Sequence, residues 1–172
     1  MRIGRDAGVG VKSARVARPD AEARLRALPA LLPAAIAWAE ACADGAAKTG
    51  SPLSPSEQEL ARTVGVARPE LVRVEAVGQM PLPGDRALQS AAIEAGLLGP
   101  DAVGLTLGYA IFIRRGYLAW RLLSHELRHV HQYEQHGSIA AFLPVYLRQV
   151  IELGYHAAPF EMDARAHELR DH

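Results

Sequence analysis

One stretch constrains the fold of this chain more than any other. Leu105-Thr106-Leu107-Gly108-Tyr109-Ala110-Ile111-Phe112-Ile113 alternates residue by residue, and after Arg114-Arg115-Gly116 it runs straight into a helical pattern over residues 117–135. Period two places Leu105, Leu107, Tyr109, Ile111 and Ile113 on one face of a half-buried strand, with small or polar residues opening the other face. Gly137 lies just past the helical pattern, where a glycine ends a helix most readily. A strand that feeds directly into a long helix has to bury both against a shared core, which predicts an α+β domain with a small sheet packed on several helices.

The remaining segments fit that architecture. Residues 20–47 are rich in helix formers, with Leu25, Leu28, Leu32, Ile36 and Ala39 recurring at three and four residues, and Pro29 and Pro33 are expected to break or restart this helix. Ser54-Pro55-Ser56-Glu57 combines a capping serine, proline at the first helical position and a glutamate three residues after the cap, so a helix opens there and runs to about Val64. Residues 71–77 alternate and are β-branched, predicting a second strand closed by Pro81-Leu82-Pro83-Gly84. Helices are expected over 85–97, over 138–153 with a bend near Pro144, and from Pro159 onward. Residues 1–18 read as an N-terminal arm, 19–172 as a single domain, and about 102–172 as its metal-binding core.

Composition excludes several functions. With 19 basic and 19 acidic side chains in 172 residues, there is no surplus of positive charge to hold a phosphate backbone, so a nucleic-acid partner is not expected. A single cysteine, Cys42, cannot form an internal disulfide or a cysteine-based zinc site. Any metal must therefore be held by histidine and carboxylate. The longest apolar stretch, 28–39, contains two prolines and stops at Glu40, short of the ~20 residues that a span requires. Arg2, Arg5 and Asp6 are not followed by the apolar run of a secretory signal, so the expectation is a cytoplasmic protein without a membrane partner.

The chemistry concentrates in His125-Glu126-Leu127-Arg128-His129. Two histidines four apart are turned about 40° from each other around a helix and are about 6 Å apart along it, so both imidazoles reach one cation from one face. Glu126 is placed beside such a cation as a general base for a water molecule. Neutral imidazoles leave the ion its positive charge, which brings the pKa of a zinc-bound water close to neutrality. Downstream, Pro159-Phe160-Glu161-Met162-Asp163-Ala164-Arg165 sets Glu161 in the first turn of a helix, where it is the candidate third ligand. The plainer reading of Glu161 is a carboxylate favoured by the helix dipole, with Asp163 as the replacement ligand.

This arrangement, His125-Glu126-x-x-His129 followed 32 residues later by Glu161-x-x-Ala164, resembles the gluzincin type of zincin metallopeptidase. The stretch from Leu105 to Arg165 is similar to small bacterial zincin domains. The resemblance implies a zincin-like fold with the His-Glu-x-x-His helix lining a metal cleft, and one Zn²⁺ held by His125, His129 and Glu161. It further implies Glu126 as general base, peptide or protein as substrate, and the 105–113 strand as the edge along which an extended peptide lies. The resemblance departs from the gluzincin pattern at Arg165, where an acidic residue would support a histidine ligand, and Asp163 is the nearest substitute. Tyr155 and His156, just before the third ligand, are candidate donors to a developing oxyanion. The alternative function is a zincin-like module that binds metal or a partner without catalysis. His131 and His136 are read as solvated, Trp38, Trp120, Phe142 and Tyr146 as core or half-buried aromatics, and Cys42 as an inert buried thiol.

Overall fold

The structure, a computed structural model, describes residues 17–169. Among them are six α-helices and four short strands, in the order α1 (Ala17–Thr49), β1 (Ser51–Pro52), α2 (Pro55–Thr63), β2 (Arg73–Val77), α3 (Arg86–Glu94), β3 (Gly104–Leu107), β4 (Ala110–Arg114), α4 (Trp120–His136), α5 (Ile139–Leu153) and α6 (Pro159–Ala166). The protein is thus a mixed α+β domain with a small four-stranded sheet. Of the arm expected at 1–18, residues 1–16 lie outside the described residues, and 17 and 18 begin α1.

The strands lie in the order β1-β2-β4-β3, with β2 and β4 parallel and both outer pairs antiparallel. Because β4 is central, both of its faces are covered. Ile111 and Ile113 pack with Leu60 of α2, Val64 just past its end, and Leu123, Leu127 and Val130 of α4, whereas Ala110 and Phe112 pack with Ala35, Ala39 and Ala46 of α1 and Leu143 of α5. The sheet is therefore sandwiched between helices, and α4 lies against it on one face.

Two expectations about this core need correction. The 105–113 segment is not one strand. Gly108, with φ +63°, and Tyr109 form a two-residue turn, so that Leu107 pairs with Ala110 and Leu105 with Phe112 in a hairpin. Glycine in the first central position supplies the positive φ of a II′ hairpin turn, and alternation continues across it without a break in the pattern. The predicted common face is accordingly split: Leu107 belongs with the α1 side and Ile111 and Ile113 with the α4 side. Of these two strands β3 lies at an edge of the sheet and β4 lies inside it.

Pro29 and Pro33 likewise do not interrupt α1, which is continuous from Ala17 to Thr49. Both prolines are exposed and stand one turn apart, so the carbonyls that lose an amide partner face water, while Leu28, Ala35, Ala39 and Ala46 bury the opposite side. That continuity also changes the membrane argument. By length and composition alone, residues Asp20–Thr49 of α1 could cross a membrane, with a mean hydropathy of 1.3 in the most apolar window. The same test is passed by a core helix or a signal sequence, and here the helix packs on the sheet through one stripe.

Local signals elsewhere set the elements as expected. The capping box at Ser54 and Glu57 is formed in both directions, Asp85 caps α3 through the Leu88 amide, and Gly137 ends α4 in the left-handed conformation. α5 holds Pro144 in its interior and ends at Gly154, while α6 stops at Ala166 rather than running on. A cluster of Tyr133, Phe142, Tyr146 and Phe160, with ring centroids 4.1–5.6 Å apart, locks α4, α5 and α6 together. His136 joins this cluster, 5.2 Å from Phe142 and 5.4 Å from Phe160, and His131 bonds the Gly65 carbonyl, so both are half-buried rather than solvated.

Candidate metal centre

α4 faces α6 across the domain, and this packing brings His125, His129 and Glu161 into one buried group whose ligand atoms lie within 4.8 Å of one another. The Nε2 atoms of the two histidines are 3.2 Å apart, at 3.4 Å and 3.3 Å from the Glu161 carboxylate oxygens. The expected three ligands are therefore assembled by the fold.

The surrounding hydrogen bonds fix what each ligand offers. Gln132 directs its amide nitrogen at the Phe160 carbonyl (3.0 Å) and the Asp163 carboxylate (2.8 Å). Its oxygen must then face His129 Nδ1, 2.8 Å away, so Nδ1 carries the proton and donates it. On His125, Nδ1 faces the Glu168 carboxylate at 3.1 Å and donates likewise. Both Nε2 lone pairs are left pointing at each other and at a carboxylate that is 1% exposed. Glu161 Oε2 is buried without a hydrogen-bond partner. Three acceptors converging without a donor repel one another unless a cation lies between them, and the donor set of two imidazoles and one carboxylate suits a divalent ion.

The electrostatics follow the same geometry. Burial disfavours the charged form of Glu161, but the adjacent His125 and His129 imidazoles and the Tyr146 hydroxyl outweigh it and hold the carboxyl far below the usual range. Burial also disfavours the His129 imidazolium, yet the adjacent Glu161 and the charge of Glu126 raise its pKa above the ordinary histidine value. In both cases positive charge is favoured at this point. Tyr146, read from the sequence as a core aromatic, donates to Glu161 Oε1 at 2.7 Å, and burial followed by the Glu161 charge keeps its phenol protonated.

Glu126 is 5% exposed and accepts a 2.7 Å hydrogen bond from Thr106 of β3. Gly104 on the same strand leaves room for it, since a Cβ there would collide with the Glu126 carboxylate. The small and polar residues at the start of the alternating segment thus face the candidate base. Tyr155 stands half-buried beside Glu161, with burial and then the charges of Glu161 and Glu126 holding it neutral, and so a donor. His156 is exposed on the wall of an outer cleft, its ring 5.6 Å from that of Tyr155.

Asp163 is not at the ligand cluster. It accepts both arms of Arg128 (2.7 and 3.1 Å) as well as Gln132, so it supports His129 through Gln132. Glu168 was missed by sequence reasoning and takes the supporting role at His125, reached from beyond the end of α6. Arg165, where the gluzincin pattern has an acid, bonds the His156 carbonyl and lies 3.7 Å from Glu161 Oε2. Comparison with family models, with curated proteins and with solved structures returned no match to this chain.

Proposed function

We propose that the protein is a zinc-dependent amide hydrolase of the zincin type, cleaving a peptide bond. The observation that carries this reading is the pair of Nε2 lone pairs converging on the Glu161 carboxylate, whose Oε2 has no hydrogen-bond partner, with Glu126 alongside. His125, His129 and Glu161 would hold a divalent ion, which would supply Lewis acidity toward a carbonyl and a water molecule. Glu126, steadied by Thr106, takes the proton of the attacking water and passes it to the leaving nitrogen. Tyr155, protonated and beside the cluster, donates to the developing oxyanion, with His156 behind it as the second candidate. Zinc is preferred to other divalent ions because two imidazoles, one carboxylate and an open position make one of its usual catalytic sets. The free edge of β3, next to Glu126, offers backbone groups to an extended substrate.

One observation favours a second reading. The guanidinium of Arg165 near Glu161 Oε2 competes with a cation for that carboxylate, as suits a zincin-like module that binds a partner without turnover. Elemental analysis of dialysed wild type, His129→Ala and Glu161→Ala tests the centre: one zinc per chain, lost in both variants, is the expected result. Glu126→Gln is expected to keep the metal and lose hydrolysis. Retained hydrolysis removes Glu126 from the mechanism, and metal without any cleavage of a peptide library supports the binding module.

A further inference from the structure

The start of β3 at Gly104, the candidate base Glu126, His125, Tyr155 and Arg165 all line one open cleft. A substrate whose carbonyl lies at the ligand group therefore extends past whatever charge this cleft carries. Most of that charge is already committed. Arg121 is held by Glu168, whose other oxygen faces His125 Nδ1, and Glu126 is engaged by Thr106. Asp101 is exposed on the wall between α3 and β3 and makes no ion pair with Arg165, whose one carboxylate neighbour among the described residues is Glu161.

Arg165 stands one helical turn past Glu161 on α6, with its side chain 33% exposed. Its guanidinium donates to the His156 carbonyl and lies 3.7 Å from Glu161 Oε2, too far to give that buried oxygen a hydrogen bond. An ion held by His125, His129 and Glu161 draws on the same oxygen and repels the guanidinium over a few ångströms. Arg165 then keeps only a neutral carbonyl, and its planar fork is free to take a carboxylate that enters the cleft. Reach limits where that carboxylate sits. A carboxylate gripped by the guanidinium adds ~3 Å to the 3.7 Å already separating it from a ligand oxygen, and an extended chain covers about 3.3–3.6 Å per residue. The anion thus belongs to the first or second residue beyond the scissile carbonyl, and the carboxylate found there whatever the sequence is a free C-terminus.

We propose that Arg165 binds the terminal carboxylate of the substrate, so that the protein removes one or two residues from the C-terminal end of a peptide. This deepens the hydrolase reading and rests on it for the position of the scissile carbonyl. The hydroxyl of water joins the carbonyl carbon, the C–N bond breaks, and the water proton passes through Glu126 to the leaving nitrogen. The products are a shortened peptide and a free amino acid or dipeptide. Ion and substrate also assist each other, since the ion takes Glu161 from Arg165 and the substrate then occupies Arg165; each raises the affinity for the other by the same factor.

Binding tests this apart from turnover. In the full chain carrying Glu126→Gln, three probes are titrated calorimetrically with zinc and after chelation: benzoyl-glycyl-glycine, its C-terminal amide, and benzoyl-glycyl-aspartate amidated at the α-carboxyl. With zinc, the free acid is expected to bind about tenfold more tightly than its amide, as one charge-assisted pair at a partly exposed site provides. Chelation and Arg165→Gln, or Arg165→Met should that chain fail to fold, are each expected to bring acid and amide to within about twofold. Equal binding of acid and amide to the zinc-loaded chain overturns the inference and leaves the metal centre standing. A preference that survives loss of Arg165 also overturns it, because the carboxylate is then on the ion. Tighter binding of the aspartate probe than of the free acid moves the recognised carboxylate to a side chain and overturns the terminal assignment. If elemental analysis finds no zinc, the metal reading fails first and this inference with it.

Discussion

The amide of Gln132 decides which nitrogen of His129 faces Glu161, because its own nitrogen is committed to Phe160 and Asp163. Gln132→Leu removes that constraint and lets the imidazole turn over, so metal affinity is expected to fall 10- to 100-fold in competition with a chromophoric chelator. Glu168→Ala acts on His125 in the same way. Gly104 is a separate case. Gly104→Ala pushes the Glu126 carboxylate from its place beside Thr106, so turnover is expected to drop at least tenfold while zinc content stays at the wild-type level. The grouping of His125, His129 and Glu161 was legible in the sequence, since helical spacing alone puts His125 and His129 on one face and a proline-led helix presents Glu161. Glu168, Tyr146 and Thr106 were not, because each reaches the centre through tertiary approach from a distance that no short motif encodes, and Gln132, only three residues past His129, is oriented by its contacts with α6.

Between elements, the contact of α4 with α6 carries the site, and its firmest polar tie is Arg128 gripping Asp163. Burial opposes the charge on Asp163, but the hydrogen bonds from Arg128 and Gln132 win and lower its pKa. A carboxylate whose folded-state pKa is depressed stabilises the fold fully above its unfolded value, near 4, and loses that contribution as pH falls through the folded value. Asp163→Asn is therefore expected to melt below wild type at pH 7, and the gap in melting temperature should narrow by pH 3. A constant gap would mean that the ion pair contributes nothing to the difference. Helix ends were readable from local chemistry at Ser54 and Gly137, because a cap involves residues three or four apart. The hairpin was not, because Gly108 and Tyr109 reverse the chain without disturbing the alternation on either side.

At the scale of the whole molecule, stability rests on the two-sided burial of β4, with Leu127 of α4 fully enclosed against it. Leu127→Ala is expected to cost about 2–5 kcal/mol in denaturant unfolding, and a loss below 1 kcal/mol would show that the core collapses around the missing atoms. The candidate ligands themselves lie apart in sequence, Glu161 coming 32 residues after His129, and α5 and the aromatic cluster occupy the interval. An ion shared between these residues ties that length of chain into a closed loop, as a cross-link would, and removes much of its freedom. Stripping the ion should accordingly loosen residues 138–158 before the sheet gives way, visible as faster amide exchange there while β4 stays protected. With an ion in place the centre would also be a clasp: whatever captured the ion would unfasten the helix whose Tyr146 braces Glu161.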